Sequence, residues 1–484
     1  MALQFPDVSL LSLDRYAALF DEREMQRMMA RIGELGAMLE GRVVWNISSS
    51  AVGGGVAEMV RSLLAYARGA GVDARWAVVT GPPAFFTLTK RLHNALHGSL
   101  GDGSPLGEAE RALFERVGHE NAAELLPMVR PGDIAIVHDP QPAAMIASLA
   151  CAGAHVVWRC HIGHDEVNGE VELGWGFVSP YLREADAYVF SRAAYVPRQL
   201  PRVRVAVIPP SIDPFSTKNQ PLDEPAIEAI LAHTGIIGGP EKATPRFLRE
   251  DGTPGRVDRT AEILRHGGPP SAETPLVVQV SRWDRLKDPV GVLCGFARID
   301  ASAAHGAELV LAGPDVTSVA DDPEGAAVYA EVVAAWHRLG EEPRRRVHLV
   351  SLPAVDVDEN AAIVNALQRH ARVIVQKSLH EGFGLTVTEA MWKARPIVAS
   401  AVGGIQDQID DGRQGLLVAS GDLDAFARAV ARLLAEPKRA DELAASARRR
   451  VLERYLGIHS LLRYGALIEA LETHAPATER AANP

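Results

Sequence analysis

A turn with two glycines separates a predicted strand from a predicted helix in the segment EGFGLTVTEA. Gly382 and Gly384 lack side chains on either side of Phe383, so a ligand can approach this backbone closely. The amides at the start of the helix, around Leu385 and Thr386, have no partner within the helix and favour negative charge. The segment therefore predicts a phosphate-binding turn beyond the carboxyl end of a strand.

Two carboxylates flank this turn. Glu381 directly precedes it, and Glu389 lies in the predicted helix, which runs from about Leu385 to Ala394. Carboxylate oxygens accept paired hydrogen bonds from sugar hydroxyls. One carboxylate can therefore hold a hexose and the other a ribose, which together with the phosphate turn indicates a nucleotide sugar as the ligand.

A second segment, SRWDRLKDP at residues 281–289, supplies positive charge. The chain carries a formal net charge of −11 at pH 7, so a diphosphate must be held by locally basic groups. Arg282 can hold phosphate oxygens through two parallel hydrogen bonds, while Lys287 acts as a point charge. Neutralising a leaving diphosphate stabilises the charge that grows as a glycosidic bond breaks.

The elements that position these residues form two series in which short apolar strands alternate with helices. The first series has predicted strands at residues 42–47, 74–80, 133–139, 155–161, 187–190 and 203–210, and helices at 56–70 and 108–118. The second series begins near residue 275, with the strands LVVQVS, ELVLAG, RVHLVS, ARVIVQKS, PIVAS and GLLVAS. The fold class predicted from the two series is α/β, with two Rossmann-like domains.

The domain boundaries follow from composition. We predict an N-terminal domain at residues 1–272, a C-terminal donor domain at 273–455, and a terminal helix and tail at 456–484 that packs back on the N-terminal domain. Residues 223–273 are rich in proline, glycine and charge and lack a strand-like run, so we expect a surface insertion with partial mobility.

The N-terminal half contains a strand, three consecutive glycines and a helix in the sequence WNISSSAVGGGVAEMV. Gly53, Gly54 and Gly55 at the helix start again allow a phosphate or a sugar to approach the backbone. A dinucleotide-binding fold is the competing interpretation, but the spacing is not GxGxxG. The next strand also ends without the acidic residue that holds the ribose of NAD, which argues against that cofactor.

The motif ExGFGLxxxEA, preceded by SRxDxxK about a hundred residues earlier, resembles the retaining glycosyltransferases of family 4. This resemblance implies the GT-B arrangement, in which two Rossmann-like domains face each other across a cleft that holds the active site. It implies that Arg282 and Lys287 contact the donor diphosphate. It also implies that Glu381 contacts the hexose hydroxyls and Glu389 the ribose.

A wider set of motifs, from about residue 40 to 460, resembles the trehalose glycosyltransferring synthases: SSSAVGGGVAEM, AFFTLTKRLHNALHG, HDPQPAA, WRCHI, PPSIDP and EGFGLTVTEAMWKARPIV. By this analogy Asp139 holds acceptor hydroxyls, and His161 contacts the donor hexose near its 6-hydroxyl. Lys90 and Asn94 on a predicted helix can reach the acceptor, although a solvated helix face explains them equally well. Lys287 is followed by Asp288, where many relatives of family 4 have glycine.

The expected reaction is retaining glucosyl transfer from a nucleotide-diphosphate glucose to free glucose, which forms trehalose. The expected mechanism is front-face substitution, in which the departing diphosphate oxygen takes the proton of the acceptor hydroxyl. Three alternatives remain open: another acceptor such as a sugar-phosphate or a glucan, an epimerase acting on the nucleotide sugar alone, or a non-catalytic relative.

Composition and charge exclude several other classes of function. The net charge argues against a nucleic-acid partner, and the three scattered cysteines form neither a disulfide framework nor a metal site. The absence of a long apolar run and of a basic leader predicts a cytoplasmic protein without a membrane partner. We expect no metal and no cofactor beyond the nucleotide-glucose co-substrate, and the resemblance suggests a homodimer. His138 and Cys160 are interpreted as ordinary buried residues.

Overall fold

The computed structural model describes residues 3–51, 54–240, 243–316 and 323–474, which form two compact units. The first unit comprises Met1–Ser211 and Tyr455–Pro484, and the second comprises Ile212–Arg454. The boundary after residue 272 that composition predicted is therefore wrong, because the structure places residues 212–272 in the second unit. The boundary near residue 455 differs from the predicted one by a single residue.

The first unit contains one sheet of six parallel strands. Their spatial order is β2-β1-β3-β4-β5-β6. The strands are rich in β-branched and aromatic residues, and those of the sheet centre are buried on both faces, as a helix-covered parallel sheet requires. Their bounds are β1 Val43–Ser48, β2 Asp73–Val78, β3 Ile134–His138, β4 His155–Cys160, β5 Ala187–Phe190 and β6 Val205–Val207.

The helices of the first unit separate these strands along the chain. Side chains alternate between two apolar clusters, so that Trp45 and Trp158 lie on one face of the sheet while Val44 and Val157 lie on the other. The helices are α1 Glu22–Met38, α2 Gly54–Gly69, α3 Pro83–Leu96, α4 Glu108–Leu125, α5 Ile146–Cys151 and α6 Gly169–Val178.

The second unit contains a seven-stranded sheet in the order β15-β14-β13-β10-β11-β12-β9, parallel except for β9. Its strands, with the separate hairpin β7–β8, are β7 Arg246–Leu248, β8 Pro254–Arg256, β9 Glu262–Leu264, β10 Leu276–Val280, β11 Glu308–Pro314, β12 Val347–Leu352, β13 Val373–Gln376, β14 Ile397–Ser400 and β15 Leu416–Val418. Its helices are α7 Glu224–His233, α8 Pro289–Phe296, α9 Pro323–Arg338, α10 Glu341–Arg345, α11 Val357–His370, α12 Leu385–Trp392, α13 Ile405–Gln408, α14 Leu423–Ala435 and α15 Pro437–Arg454.

The segment predicted as a surface insertion without strands contains α7, the β7–β8 hairpin and β9, which pairs antiparallel with β12. The buried carboxylate of Glu359 accepts hydrogen bonds from the amides of Asp258 and Arg259, each at 2.7 Å. Asn365 donates to the carbonyl of Thr217 at 3.0 Å. Composition missed this structure because each strand has only three residues and because the segment is held by contacts with α11 and β12, which come much later in the chain.

The last helix, α16 (Gly457–His474), belongs to the first unit, where it packs against α1 and α2. Arg31 of α1 pairs with Glu469 of α16 at 2.5 Å. Within the described ranges, no helix combines the length and the apolar character needed to cross a membrane.

Candidate active site

The predicted phosphate turn has a backbone that only glycine adopts easily. Gly384 caps α12 with φ = 87°, in the left-handed region. A Cβ atom at this position would lie 3.2 Å from the Cγ atom of Glu381. The amides of Leu385 and Thr386 have no hydrogen-bond acceptor within the described part of the chain. The turn therefore presents two free donors at a helix start, which is the geometry of an anion site.

The buried side chain of Gln408 fixes this turn, a role that sequence analysis missed. Its Nε2 atom donates to the carbonyl oxygen of Phe383 at 2.5 Å, and its Oε1 atom accepts from the hydroxyl of Thr388 at 2.7 Å. Gly404 packs so closely that an added Cβ would lie 2.6 Å from the Cα atom of Phe383. Nothing in the local sequence marks Gln408, because Phe383 and Thr388 lie twenty or more residues earlier.

Lys287 lies directly beside the turn. Its Nζ atom is 2.5 Å from Oε2 of Glu381, and the two side chains are 19% and 10% exposed. The backbone amide of Leu379 donates to the carbonyl of Leu286 at 2.8 Å, which holds the basic segment against the strand end. Lys287 of the basic segment therefore lies beside the glycine turn, where it was predicted to be.

Arg282 takes a different position. Its side chain is 58% exposed, and its nearest carboxylate is that of Asp284, 3.4 Å from Nη2. Among the described residues, it forms no hydrogen bond or ion pair with the Gly382-Phe383-Gly384 turn. Within the described ranges, the contact with Asp284 is the one ion pair of this exposed side chain.

Glu389 lies on α12 and is almost fully buried. Lys218, which sequence analysis did not consider, places Nζ 3.7 Å from Oε1 of Glu389. Nearby, the Nζ atom of Lys393 donates to Gln368 at 2.7 Å and to Asn219 at 2.9 Å. Burial lowers the pKa of Lys393 to about 7, an effect that the carboxylate of Glu389 opposes. Two lysines, Lys218 and Lys393, therefore lie near the carboxylate that is predicted to hold a ribose.

In the first unit, Asp139 follows β3 with φ = 62°. Its Oδ1 atom accepts a hydrogen bond from the amide of His161 at 2.7 Å, and its carbonyl oxygen accepts from Nε1 of Trp158 at 3.0 Å. Burial raises the pKa of Asp139 to about 7. The structure thus brings together Asp139 and His161, the two predicted residues at neighbouring strand ends.

The ring of His161 belongs to a row of three buried side chains. Its Nε2 atom lies 3.0 Å from Nδ1 of His138, and Nε2 of His138 lies 2.9 Å from Oδ1 of Asn46. Burial lowers the pKa of His138 to about 3 and that of His161 well below its ordinary value, so both rings are neutral at pH 7. Because Asn46 Oδ1 only accepts, His138 carries its proton on Nε2 and accepts from Nε2–H of His161. His138 is buried as predicted, but its partner is a predicted site residue.

The remaining predicted residues of the first unit are found at the start of α2 and on α3. Helix α2 begins at Gly54, which has φ = 80°, followed by Gly55, while Gly53 lies outside the described residues. Lys90 is exposed on α3, and Asn94 is half-buried one turn later. In the described part of the chain, neither side chain forms a hydrogen bond or ion pair with Asp139 or His161. A search of the same residues for three or more clustered metal-ligating side chains finds none.

Comparisons with known proteins find similar sequences along most of the chain. The family model "Trehalose synthase, N-terminal domain" matches residues 46–197, and "Glycosyl transferases group 1" matches residues 262–450. The trehalose synthase of Pyrococcus horikoshii is 34% identical over 95% of this chain and 96% of its own length. That of Rubrobacter xylanophilus is 33% identical over 91% and 94%. The structure of sucrose-phosphate synthase from Thermosynechococcus elongatus aligns with a TM-score of 0.62 and 20% identity over 90% of this chain and 100% of that one, which shows the fold alone.

The two Rossmann-like units and the phosphate turn with its paired lysine define a glycosyltransferase of the GT-B fold class. Within this class, the extent and identity of the sequence matches place the chain in a single family. It belongs to the trehalose synthase family of glycosyltransferases.

Proposed function

We propose that this enzyme transfers a glucosyl group from a nucleotide-diphosphate glucose to free glucose, with retention of the anomeric configuration, and so forms trehalose. The observation that carries the proposal is the contact of Lys287 with Glu381 beside the two free amides of α12. A cation, a carboxylate and an anion-binding helix start within one unit match a sugar diphosphate better than a neutral sugar.

The Lys287–Glu381 pair must separate when the donor binds. Lys287 would turn to the diphosphate, together with Arg282 and the amides of Leu385 and Thr386, while Glu381 would accept hydrogen bonds from the hexose hydroxyls. Glu389 would accept from the ribose hydroxyls in place of part of its contact with Lys218. The cost of opening this partly exposed pair is offset, because each charge gains a new partner of opposite charge or a hydrogen-bond donor.

The residues of the first unit would bind the sugars. One carboxylate oxygen of Asp139 accepts the hydrogen bond of the His161 amide. The other would accept a hydrogen bond from a hydroxyl group of the glucose that receives the glucosyl group. His161 donates Nε2–H to His138, so its Nδ1 atom is an acceptor for a donor hydroxyl. Neutral or weakly charged acceptors suit sugar hydroxyls, which carry no charge of their own.

In the proposed step, the bond between the anomeric carbon and the diphosphate oxygen breaks, and a bond from the acceptor oxygen forms on the same face. The proton of the acceptor hydroxyl passes to the departing diphosphate oxygen. Lys287 and Arg282 stabilise the negative charge that develops there. No covalent sugar–enzyme intermediate is required, so Glu381 acts as a binding group and not as a nucleophile.

One set of incubations tests this proposal. ADP-, UDP- and GDP-glucose are each supplied with glucose, without glucose, and with glucose 6-phosphate, and the sugars are separated and their anomeric configuration is read by NMR. Trehalose that appears only with both a nucleotide-glucose and glucose is the expected result. A further arm with maltose alone is needed, because the names of the relatives do not state their source of glucose.

The other outcomes identify the rival functions. Trehalose formed from maltose alone would overturn the nucleotide-sugar donor. A phosphorylated disaccharide would show a sugar-phosphate acceptor, and a changed hexose in the absence of any acceptor would show an epimerase.

A further inference from the structure

Asp288, the residue next to Lys287, adopts a backbone that is unusual for its type. Its φ is 48°, in the left-handed region where glycine is most at ease. One carboxylate oxygen caps α8 by accepting from the amide of Gly291 at 3.0 Å, and the other accepts from Nζ of Lys377. An added Cβ at Gly291 would lie 2.0 Å from the carboxylate, so the space is shaped around it. The aspartate therefore gains two contacts that a glycine at this position would lack.

Lys377, its partner, is 1% exposed. Its Nζ atom donates to Asp288 and to the carbonyl oxygen of Ser420, the latter at 2.6 Å. A buried ammonium group is costly unless it is paired and hydrogen-bonded. Because both partners come from distant parts of the chain, this lysine ties three segments together at the end of β13.

The buried pair lies next to the two residues proposed to bind the donor. Asp288 follows Lys287 in the chain, while Lys377 precedes Ser378, whose hydroxyl donates to Glu381 at 3.2 Å. Gln279 adds a bridge between the same segments, because its Nε2 atom donates to the carbonyl of Lys287 at 3.0 Å and its Oε1 atom accepts from the amide of Lys377 at 3.2 Å. Two ion pairs thus join the same two segments, and they differ in that the lysine of one, Lys377, is fully buried whereas Lys287 is 19% exposed.

The Lys287–Glu381 pair must open for the donor, and the link that it provides between the segments is then lost. We propose that the Asp288–Lys377 pair, with its buried lysine, is a positioning device that keeps Lys287 and Glu381 in register on the bound diphosphate sugar while their own contact is open. This inference rests on the proposed function. The competing explanation is that the pair serves only the stability of the fold.

Three variants separate these explanations: Asp288→Asn, Lys377→Met and the double variant. Asparagine tolerates the left-handed backbone and keeps an oxygen for the cap of α8, so the first variant removes mainly the charge. The matched control is Asp223→Asn, which makes the same change at an exposed helix cap of α7. Each protein is characterised by its unfolding temperature, by calorimetric titration with ADP, UDP and GDP, and by kcat and KM for the donor.

Both single variants are expected to lose about tenfold or more in affinity for the preferred nucleoside diphosphate and in kcat/KM, because each removes a charge-assisted bond that holds the site. Both single variants should also unfold at a lower temperature, since Asp288→Asn leaves the buried ammonium group of Lys377 without its carboxylate and Lys377→Met leaves Asp288 without its partner. In the double variant no unpaired charge remains, so the unfolding temperature should recover while the diphosphate affinity stays low. The control should match the wild type in both measurements.

Single variants that are folded and bind diphosphate as the wild type does would overturn the inference, as would a double variant whose affinity recovers together with its stability. A wild-type protein that binds none of the three diphosphates would overturn the proposed function instead. Crystal structures of ligand-free Glu381→Ala, with and without Lys377→Met, then decide the inference alone, because the contact of Lys287 with Glu381 is absent in both. A Lys287 that is displaced only when Lys377 is also replaced supports the inference, and a Lys287 in the same position in both proteins contradicts it.

Discussion

The residues proposed to bind the donor in the second unit and those proposed to bind sugars in the first unit differ in how they handle charge. In the second unit, Lys287 forms an ion pair with Glu381 and Lys218 forms one with Glu389, and both lysines are partly exposed. Asp139, His138 and His161 are held by burial in states that carry less charge, with pKa values moved toward the neutral forms. The difference has a physical reason. A diphosphate is bound best by charged side chains, whereas uncharged sugar hydroxyls can be bound by hydrogen-bond acceptors whose removal from water costs less free energy.

The largest effect is expected from the charged side. Lys287→Ala should lower kcat by about a hundred- to a thousandfold, because it removes charge stabilisation of the leaving diphosphate. Steady-state kinetics with the preferred nucleotide-glucose, together with circular dichroism to verify folding, make the measurement. Lys438→Ala, a lysine substitution on α15 outside the site, is the control. Unchanged turnover in Lys287→Ala would remove this residue from the mechanism.

The next effect tests the sugar side. Asp139→Asn keeps the shape and one acceptor oxygen but weakens the hydrogen bond to the acceptor, so kcat/KM for glucose should fall by about a hundredfold. The dissociation constant of the nucleoside diphosphate should not change, since charge on the donor side is intact. A parallel loss of diphosphate affinity would contradict the division between the two sides.

A smaller effect is expected from replacing His138, which contacts the ring of His161. His138→Leu removes the acceptor that fixes the ring of His161, and should reduce kcat/KM for the donor by about tenfold. His138→Gln can still accept from His161 and donate to Asn46, so most of the activity should return. Equal activity of the leucine and glutamine variants would show that the histidine only fills space.

The smallest effect is on stability. The pKa of Asp139 is raised from 3.8 to about 7 in the folded protein, so the folded state binds more protons than the unfolded state between these values. The contribution of this group to stability is present below pH 4 and is lost as the pH rises through 7. Thermal unfolding of wild type and Asp139→Asn at pH 5 and pH 8 checks this. The variant should gain on the wild type at the higher pH, and a constant difference would show that Asp139 ionises normally.

The local parts of the site could be predicted from the sequence. Glycine positions and apolar periodicity within about ten residues are enough to predict the strand, turn and helix around Gly384 and the strand end at Asp139. The two series of alternating strands and helices likewise follow from short-range patterns, which is why the α/β class with two Rossmann-like domains is confirmed.

Contacts between distant residues could not be predicted in this way. Gln408 under the turn, Lys218 beside Glu389 and Asn46 behind His138 leave no local signal, because each is ordinary in its own segment. The predicted domain boundary is wrong for the same reason, since three-residue strands in a segment held by the distant β12 and α11 have the composition of a loop.

The sequence by itself determined which groups could do the chemistry: a cationic segment, a glycine turn at a helix start, and polar residues at strand ends. Only the tertiary structure decided that Lys287 meets Glu381, 94 residues later, and that Asp288 and Lys377 pair beneath them. The physical reason is that backbone preferences act over a few neighbouring residues. Charge pairing and burial depend instead on which strands the sheet places side by side.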